Sequence, residues 1–437
     1  MKRLLFILLL TIPFIGFGQG WEKVYPITSI SGYQYDEGFS VQQTTDNGFI
    51  ITGYTSNDEQ DILLIKTDSL GDTLWTSSLI EPCDQYGHSI QQTNDGGYII
   101  GGTKEINGPN SCHGDMWLIK FDSNGNPLWE KMFGSNSYEE GRSVQQTNDG
   151  GYVITGSVST LSNQKDVYVV KTDMNGNIQW DKSYGNGLND IGYSIKQTSD
   201  GGYIITGTTE LDSVINIYLV KIDNLGDTLW TRSFGNSFSY EIGYSVQQTT
   251  DGGYIICGST SSLMNYIYVI KTDSSGNIVW THTYGDGEED VGYSIQQTSD
   301  GGYIMTGKIE DNGINGVLGE SDLYLIKIDS LGDTTWTEKF DSGNWNSDIG
   351  YSVQETNNGG YVISGSTDSW SGLYVYLIKT DFQGNITSTF NIPTTSSNRK
   401  LENIVDILGR EIKPQTNTPF IEIYDDGSTE KKLIIDK

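Results

Sequence analysis

Residues 243–258, GYSVQQTTDGGYIICG, and residues 266–280, YIYVIKTDSSGNIVW, decide the fold, because close copies of this pair occur seven times in the chain. The copies begin at Gly38, Gly87, Gly141, Gly192, Gly243, Gly292 and Gly350, so neighbouring starts lie 49 to 58 residues apart. That period is longer than a leucine-rich, ankyrin or tetratricopeptide unit and falls in the range of propeller blades. In the fifth copy four short β segments are expected, at 244–249, 254–258, 267–272 and 277–284. Asp251-Gly252-Gly253 between the first two, and Gly276 between the last two, supply the positive φ that tight hairpins require. Middle segments such as IYVI (267–270) are continuously apolar, as strands covered on both faces should be. Four antiparallel strands per repeat make a blade, and an array of blades behaves as one domain whatever its length. The expectation is an all-β, seven-bladed β-propeller over residues 19–392.

The ends of the array carry a closure signal. A tryptophan ends the fourth segment at Trp75, Trp129, Trp180, Trp230, Trp280 and Trp336, but the last copy has Ser388-Thr389-Phe390 in that region. The missing one stands ahead of the first copy, at Trp21. An N-terminal strand around Trp21 would complete the last blade and remove two raw sheet edges. The seven tryptophans are then expected to pack between neighbouring blades, where each ring can bury on the order of 200 Å². The surrounding pattern, Lys-x-Asp-x-x-Gly-(Asn/Asp)-x-x-Trp, resembles the tryptophan-docking motif of quinoprotein-type propellers, with one residue fewer between Asp and Gly. The resemblance implies a shared way of locking blades. It implies no quinone site, since the adjacent cysteine pair and arginine contacts of those enzymes have no match here.

Lys2 and Arg3, the apolar run 4–15 and the small residues Gly16 and Gly18 read as a secretory signal over residues 1–18. No later stretch reaches the roughly 18 apolar residues that a spanning helix needs. The chain has a formal net charge of −30, and residues 19–396 hold 17 basic against 48 acidic side chains. Such a surface repels phosphate backbones, which argues against a nucleic-acid partner. Five arginines and three histidines leave little material for site chemistries that depend on them. Cys257 replaces a small strand residue and reads as a buried hydrophobe. Cys83 and Cys112 lie in loops of the first two repeats, where an oxidising compartment would permit a disulfide.

Residues 401–437 lie outside the repeat, after a polar linker at 393–400. The run VDILGRE (405–411), followed by IYDDGSTEKK (423–432), resembles the C-terminal sorting domain of type IX secretion substrates in the Bacteroidota. The matching positions are Asp406, Gly409, Arg410, Glu411, Tyr424, Asp425, Asp426 and Gly427. The resemblance implies the type IX machinery as a partner and a secreted or cell-surface location. Read from its residues alone, the segment is a small set of strands with an Asp-Asp-Gly turn.

Two registers and several loops are candidate sites. An acidic residue stands two positions before the repeat glycine at Asp36, Glu139, Asp190, Glu241, Asp290 and Asp348, with Gln85 in the remaining copy. If the first strand is innermost, these carboxylates ring one mouth of the channel and could hold hydrated Ca²⁺; alternatively each caps its own loop. The Ser-(Val/Ile)-Gln-Gln run would line the channel with hydroxyls and amides, Lys196 and Glu355 being its charged departures. That lining offers no general acid and base pair. The irregular loops at 104–114, 157–165, 309–321 and 340–348, with Trp345 and Trp370, are expected to carry recognition of an extracellular polysaccharide or protein. The functional expectation is an exported binding or adhesion module. Its alternatives are a polysaccharide-active enzyme using loop carboxylates, as glycosidases do, and a structural surface component.

Overall fold

The computed structural model describes residues 20–386 apart from 26–33, 57–59, 80–82, 108–111, 135–137, 160–163, 236–238, 262–263, 288, 311–320, 343–346 and 370–371. Beyond residue 386 it describes 401–405, 413, 420–424 and 429–432. The chain divides into two compact units, Met1–Thr387 and Ser388–Lys437. Among the described residues every regular element is a β-strand.

The first unit is a β-propeller. Five four-stranded antiparallel sheets each take one repeat, in simple sequential order. In the fifth repeat the strands are Tyr240–Gln248, Tyr254–Ser261, Asn265–Thr272 and Ile278–Tyr284. The innermost strand begins four residues before the segment that the repeat pattern predicts, because the acidic residue at the turn already pairs in the ladder, Glu241 with Thr260. The sixth and largest sheet of this unit has eight strands and holds the first and last repeats together. Its halves meet in a short parallel bridge, Gln34 opposite Gly372 and Tyr35 opposite Leu373. The N-terminal strand Trp21–Tyr25 belongs to it and runs antiparallel along Gly372–Lys379, with Trp21 opposite Lys379 and Tyr25 opposite Val375.

Burial follows the apolar pattern. Second strands such as Phe49–Ser56 and Tyr254–Ser261 are covered on both faces for most of their length, whereas outer strands such as Ile278–Tyr284 alternate. The core is not inside any one sheet. Each hydrophobic cluster joins two neighbouring repeats, as when Ile255, Ile267 and Val269 pack against Ile295, Tyr303 and Met305. Another joins Phe49, Ile51 and Leu63 of the first repeat to Val362, Val375 and Leu377 of the last. At roughly 1.5–3 kcal/mol for each large aliphatic side chain removed from water, these layers are the main cohesive term, and no repeat can supply one alone.

Tryptophans finish each layer. Their rings lie against a turn glycine of the following repeat: Trp21 on Gly71, Trp75 on Gly125, Trp129 on Gly176, Trp180 on Gly226, Trp230 on Gly276, Trp280 on Gly332 and Trp336 on Gly384. Each ring also meets the aromatic that opens that repeat's second strand, as Trp230 meets Tyr254 with centroids 5.9 Å apart and Trp21 meets Phe49 at 5.7 Å. Gly276 has φ +78°, and a Cβ there would stand 2.7 Å from the Trp230 ring, so both backbone and contact require glycine.

The second unit contains a three-stranded antiparallel sheet, Leu401–Val405, Phe420–Tyr424 and Thr429–Lys432. Tyr424 ends its central strand. The other positions that match the sorting pattern, Asp406, Gly409, Arg410, Glu411, Asp425, Asp426 and Gly427, lie outside the described residues.

Candidate functional site: the axial channel

The innermost strand of every repeat carries one β-bulge at the same place. The ladder skips a residue between Gly38 and Ser40, Gly87 and Ser89, Gly141 and Ser143, Gly192 and Ser194, Gly243 and Ser245, Gly292 and Ser294, and Gly350 and Ser352. A bulge breaks the strict alternation of faces, so the skipped residue is freed from the ladder. These skipped residues meet one another in a collar. Phe39 stacks on His88 at 5.3 Å and meets Tyr351 at 5.2 Å. Tyr351 meets Tyr293, Tyr293 meets Tyr244 and Tyr244 meets Tyr193, at 5.3, 5.1 and 5.1 Å. The remaining member, Arg142, lies with Cζ 5.8 Å from the Tyr193 ring and pairs with Glu140 at 2.9 Å. Burial, and next the Arg142 charge, push the His88 imidazole down to about 3, so it is neutral at any physiological pH.

Next to the collar the channel opens into a cavity of about 210 Å³, lined by the Ser-(Val/Ile)-Gln register of the innermost strands. Three rings of side-chain to backbone bonds stitch neighbouring repeats together around it. Each serine Oγ accepts the N–H one residue past the corresponding serine of a neighbour: Val41, Ile90, Val144, Ile195, Val246, Ile295 and Val353 donate to Ser352, Ser40, Ser89, Ser143, Ser194, Ser245 and Ser294 at 3.2–3.4 Å. The fourth residue of the run reaches the other way, as Gln92 Oε1 accepts Thr45 N–H at 2.8 Å and Glu355 Oε2 accepts Ser299 N–H at 2.8 Å. The third residue, a glutamine in six repeats, reaches forward: Gln42, Gln91, Gln145, Gln247, Gln296 and Gln354 accept the N–H of Gln92, Gln146, Gln197, Gln297, Glu355 and Gln43 at 2.5–2.7 Å.

The seventh member of that last ring is Lys196, the only charged side chain in the cavity lining. It is partly buried in the channel wall, and the loss of hydration there lowers its pKa. The cavity wall offers hydroxyls, amides and this one ammonium.

The carboxylates two positions before the repeat glycines are buried, from 0% exposed at Asp36, Asp190, Asp290 and Asp348 to 1% at Glu139 and 2% at Glu241, and Gln85 is buried beside them. Asp190, Glu241, Asp290, Asp348 and Gln85 bond to the residues just ahead of their innermost strands. Asp290 Oδ2 accepts the N–H groups of Asp286 and Gly287 at 2.9 and 3.0 Å, and its Oδ1 accepts Glu310 N–H at 3.1 Å. Asp190 accepts Asn186 N–H at 2.9 Å, and Asp348 accepts Ser342 N–H at 2.7 Å. Glu241 accepts the Ser239 hydroxyl, and Gln85 donates its side-chain amide to the Cys83 carbonyl. Among the described residues no three His, Cys, Asp or Glu side chains stand close enough together to hold a metal ion. At Asp190, Asp290 and Asp348 the bonds given are those of separate loop caps.

Trp345 and Trp370 lie outside the described residues, as does the side chain of Cys112. Cys257 is fully buried, and burial pushes its thiol up to about 12. The collar is the structural feature of the channel that the sequence did not disclose. Its signal was a large side chain between Gly and Ser in all seven copies, a position that alternation alone assigns to the face opposite the serine.

No protein-family model matches the chain, and no curated protein matches it. Solved structures do. A crystal structure of a protein of unknown function from Dyadobacter fermentans is 10% identical with a TM-score of 0.50, covering 83% of this chain and 98% of that one. The WD40 domain of Neurospora crassa Pan2 is likewise 10% identical with a TM-score of 0.50, covering 84% and 98%. At that identity the likeness concerns the propeller fold alone.

Proposed function

We propose that this chain is an exported, seven-bladed propeller that binds a glycan or protein ligand at or beyond the cell surface. The count of seven treats the eight-stranded sheet as two blades joined by the short bridge at Gln34 and Tyr35, in keeping with seven sequence repeats and seven tryptophan–glycine contacts. The observation that carries the binding reading is where the repeats differ. Strands, turns and docking tryptophans repeat almost unchanged, while length and composition diverge in the segments 104–114, 157–165, 309–321 and 340–348, which run from the end of one strand into the start of the next. Variable loops on an invariant scaffold are the usual seat of recognition, and Trp345 and Trp370 offer flat faces on which a sugar ring can stack.

Export rests on the N-terminal segment 1–18 and on the likeness of residues 401–437 to type IX sorting domains. The mature chain, screened against polysaccharides with retention and reducing-sugar release followed together, should retain at least one glycan without releasing sugar. Release would turn the reading into a hydrolase, and no retention would remove the glycan half of it. Joined to a reporter with an N-terminal signal in a bacterium that has the type IX system, residues 393–437 should deliver it to the surface or medium; a periplasmic reporter would sink the sorting role.

A further inference from the structure

Six repeats place a glutamine at the third position of the channel run, and the fourth places Lys196 there. Each glutamine commits its carbonyl oxygen to a backbone N–H of the neighbouring repeat, at 2.5–2.7 Å. A backbone N–H can only donate, so the orientation of these amides is fixed: oxygen towards the neighbour, NH₂ towards the cavity. The serines repeat the logic one step along, their oxygens accepting from neighbouring N–H groups and their hydroxyl hydrogens left to donate. Ser89 alone also reaches a carbonyl, that of Val144, at 3.5 Å. The wall is thus a set of converging donors.

Lys196 sharpens this polarity. It has no oxygen to offer the Gln248 N–H, which loses the link that every other repeat makes. In exchange the cavity gains an ammonium, and among the described residues no carboxylate lies within ion-pairing distance of it. Placing a cation without a counter-charge in a partly buried channel wall is unfavourable, and at this one position the repeat gives up a bond to do it. We propose that the axial cavity is a binding site for a compact oxyanion, such as sulfate, phosphate or a small carboxylate, held by the Lys196 ammonium, the glutamine NH₂ groups and the serine hydroxyls. The volume of about 210 Å³ suits such an ion with a few waters and is too small for an oligosaccharide. The chain's −30 charge opposes long-range attraction of anions, so affinity comes from the bonds inside and not from steering. This site is independent of any ligand on the loops.

The test uses the full mature chain, with calorimetric titration and thermal unfolding in sodium sulfate, phosphate and citrate against sodium chloride at equal ionic strength. At least one oxyanion should bind saturably at one per chain and raise the melting temperature beyond the chloride control. Lys196→Gln should fold at least as stably as the parent, since it restores the Gln248 link, and should bind at least tenfold more weakly. Lys196→Met, neutral and of similar length, should lose binding equally and decides the matter if the glutamine variant does not fold. Absence of any shift beyond chloride with all three probes, or wild-type affinity in either variant, would overturn the site.

Discussion

At the scale of the residue, the turn that joins the first two strands shows how one substitution changes a buried charge. In six repeats a lysine of the third strand, 3–6% exposed, meets the turn aspartate: Lys66 with Asp46, Lys120 with Asp95, Lys171 with Asp149, Lys221 with Asp200, Lys271 with Asp251 and Lys327 with Asp300, at 2.8–3.1 Å. Burial pushes the Asp251 carboxyl up, but the Lys271 ammonium, the Thr249 hydroxyl and the Gly253 N–H outweigh it and hold it at about 2. The last repeat has Asn358 at this place. Lys379 is left with the carbonyls of Gly359 and Thr380, at 2.9 and 2.7 Å, and burial lowers it to about 8. A lysine that titrates near 8 when folded and near 10.4 when unfolded binds fewer protons in the native state between those values. Its penalty is therefore complete below pH 8 and is relieved as pH rises above it. Asn358→Asp should raise stability at pH 7 by about 1–3 kcal/mol, and the gain measured by denaturant titration should shrink between pH 8 and 9.5. Conversely, Asp251→Asn should cost about 1–2 kcal/mol by stranding Lys271, read as a lower unfolding midpoint.

At the scale of the element, glycines that look alike in sequence do different things. Gly252 and Gly276 both have positive φ, +82° and +78°, but a Cβ at Gly252 meets nothing within 4 Å whereas one at Gly276 runs into the Trp230 ring. Gly252→Ala should cost only backbone strain, about 1 kcal/mol. Gly276→Ala should cost about 2–4 kcal/mol and blue-shift or quench part of the tryptophan fluorescence, because strain and displaced packing add. Strand number, turn positions and the Trp21 closure strand were legible in the sequence because each rests on local chemistry repeated seven times. The bulge was not legible. Nothing in Gly-Tyr-Ser says which residue leaves the ladder, and a period-2 reading separates side chains that the bulge sends into the same channel. The acidic register was legible as a pattern with two readings, loop cap or channel mouth, since both place the same demand on residue type and differ only in the direction of the N–H groups.

At the scale of the whole molecule, stability is shared among equivalent layers, each spanning two repeats, and the layer between the last and first repeats depends on the N-terminal strand. Tyr25 donates its hydroxyl to the Gly71 carbonyl at 2.7 Å, and Glu22 accepts the Tyr376 hydroxyl at 2.6 Å. Removing residues 19–25 deletes the Trp21 contact with Phe49 and Gly71 and bares the Gly372–Lys379 edge. The truncated chain should melt well below the parent and self-associate in size-exclusion chromatography, as exposed strand edges do. An internal tryptophan change such as Trp180→Ala should lower stability by about 3–5 kcal/mol without that self-association.

That same strand sets an order of events for a newly made chain. Trp21 must wait for Lys379, its partner 358 residues later, so the circle is completed only after the last repeat has emerged. Until then successive repeats can stack as an open arc, each addition closing a loop of only about 50 residues, while the final step alone must bring the two far ends together against a larger chain entropy. Until that step an open arc carries an uncovered face at each end, and the pairing of Trp21–Tyr25 with Gly372–Lys379 covers both at once.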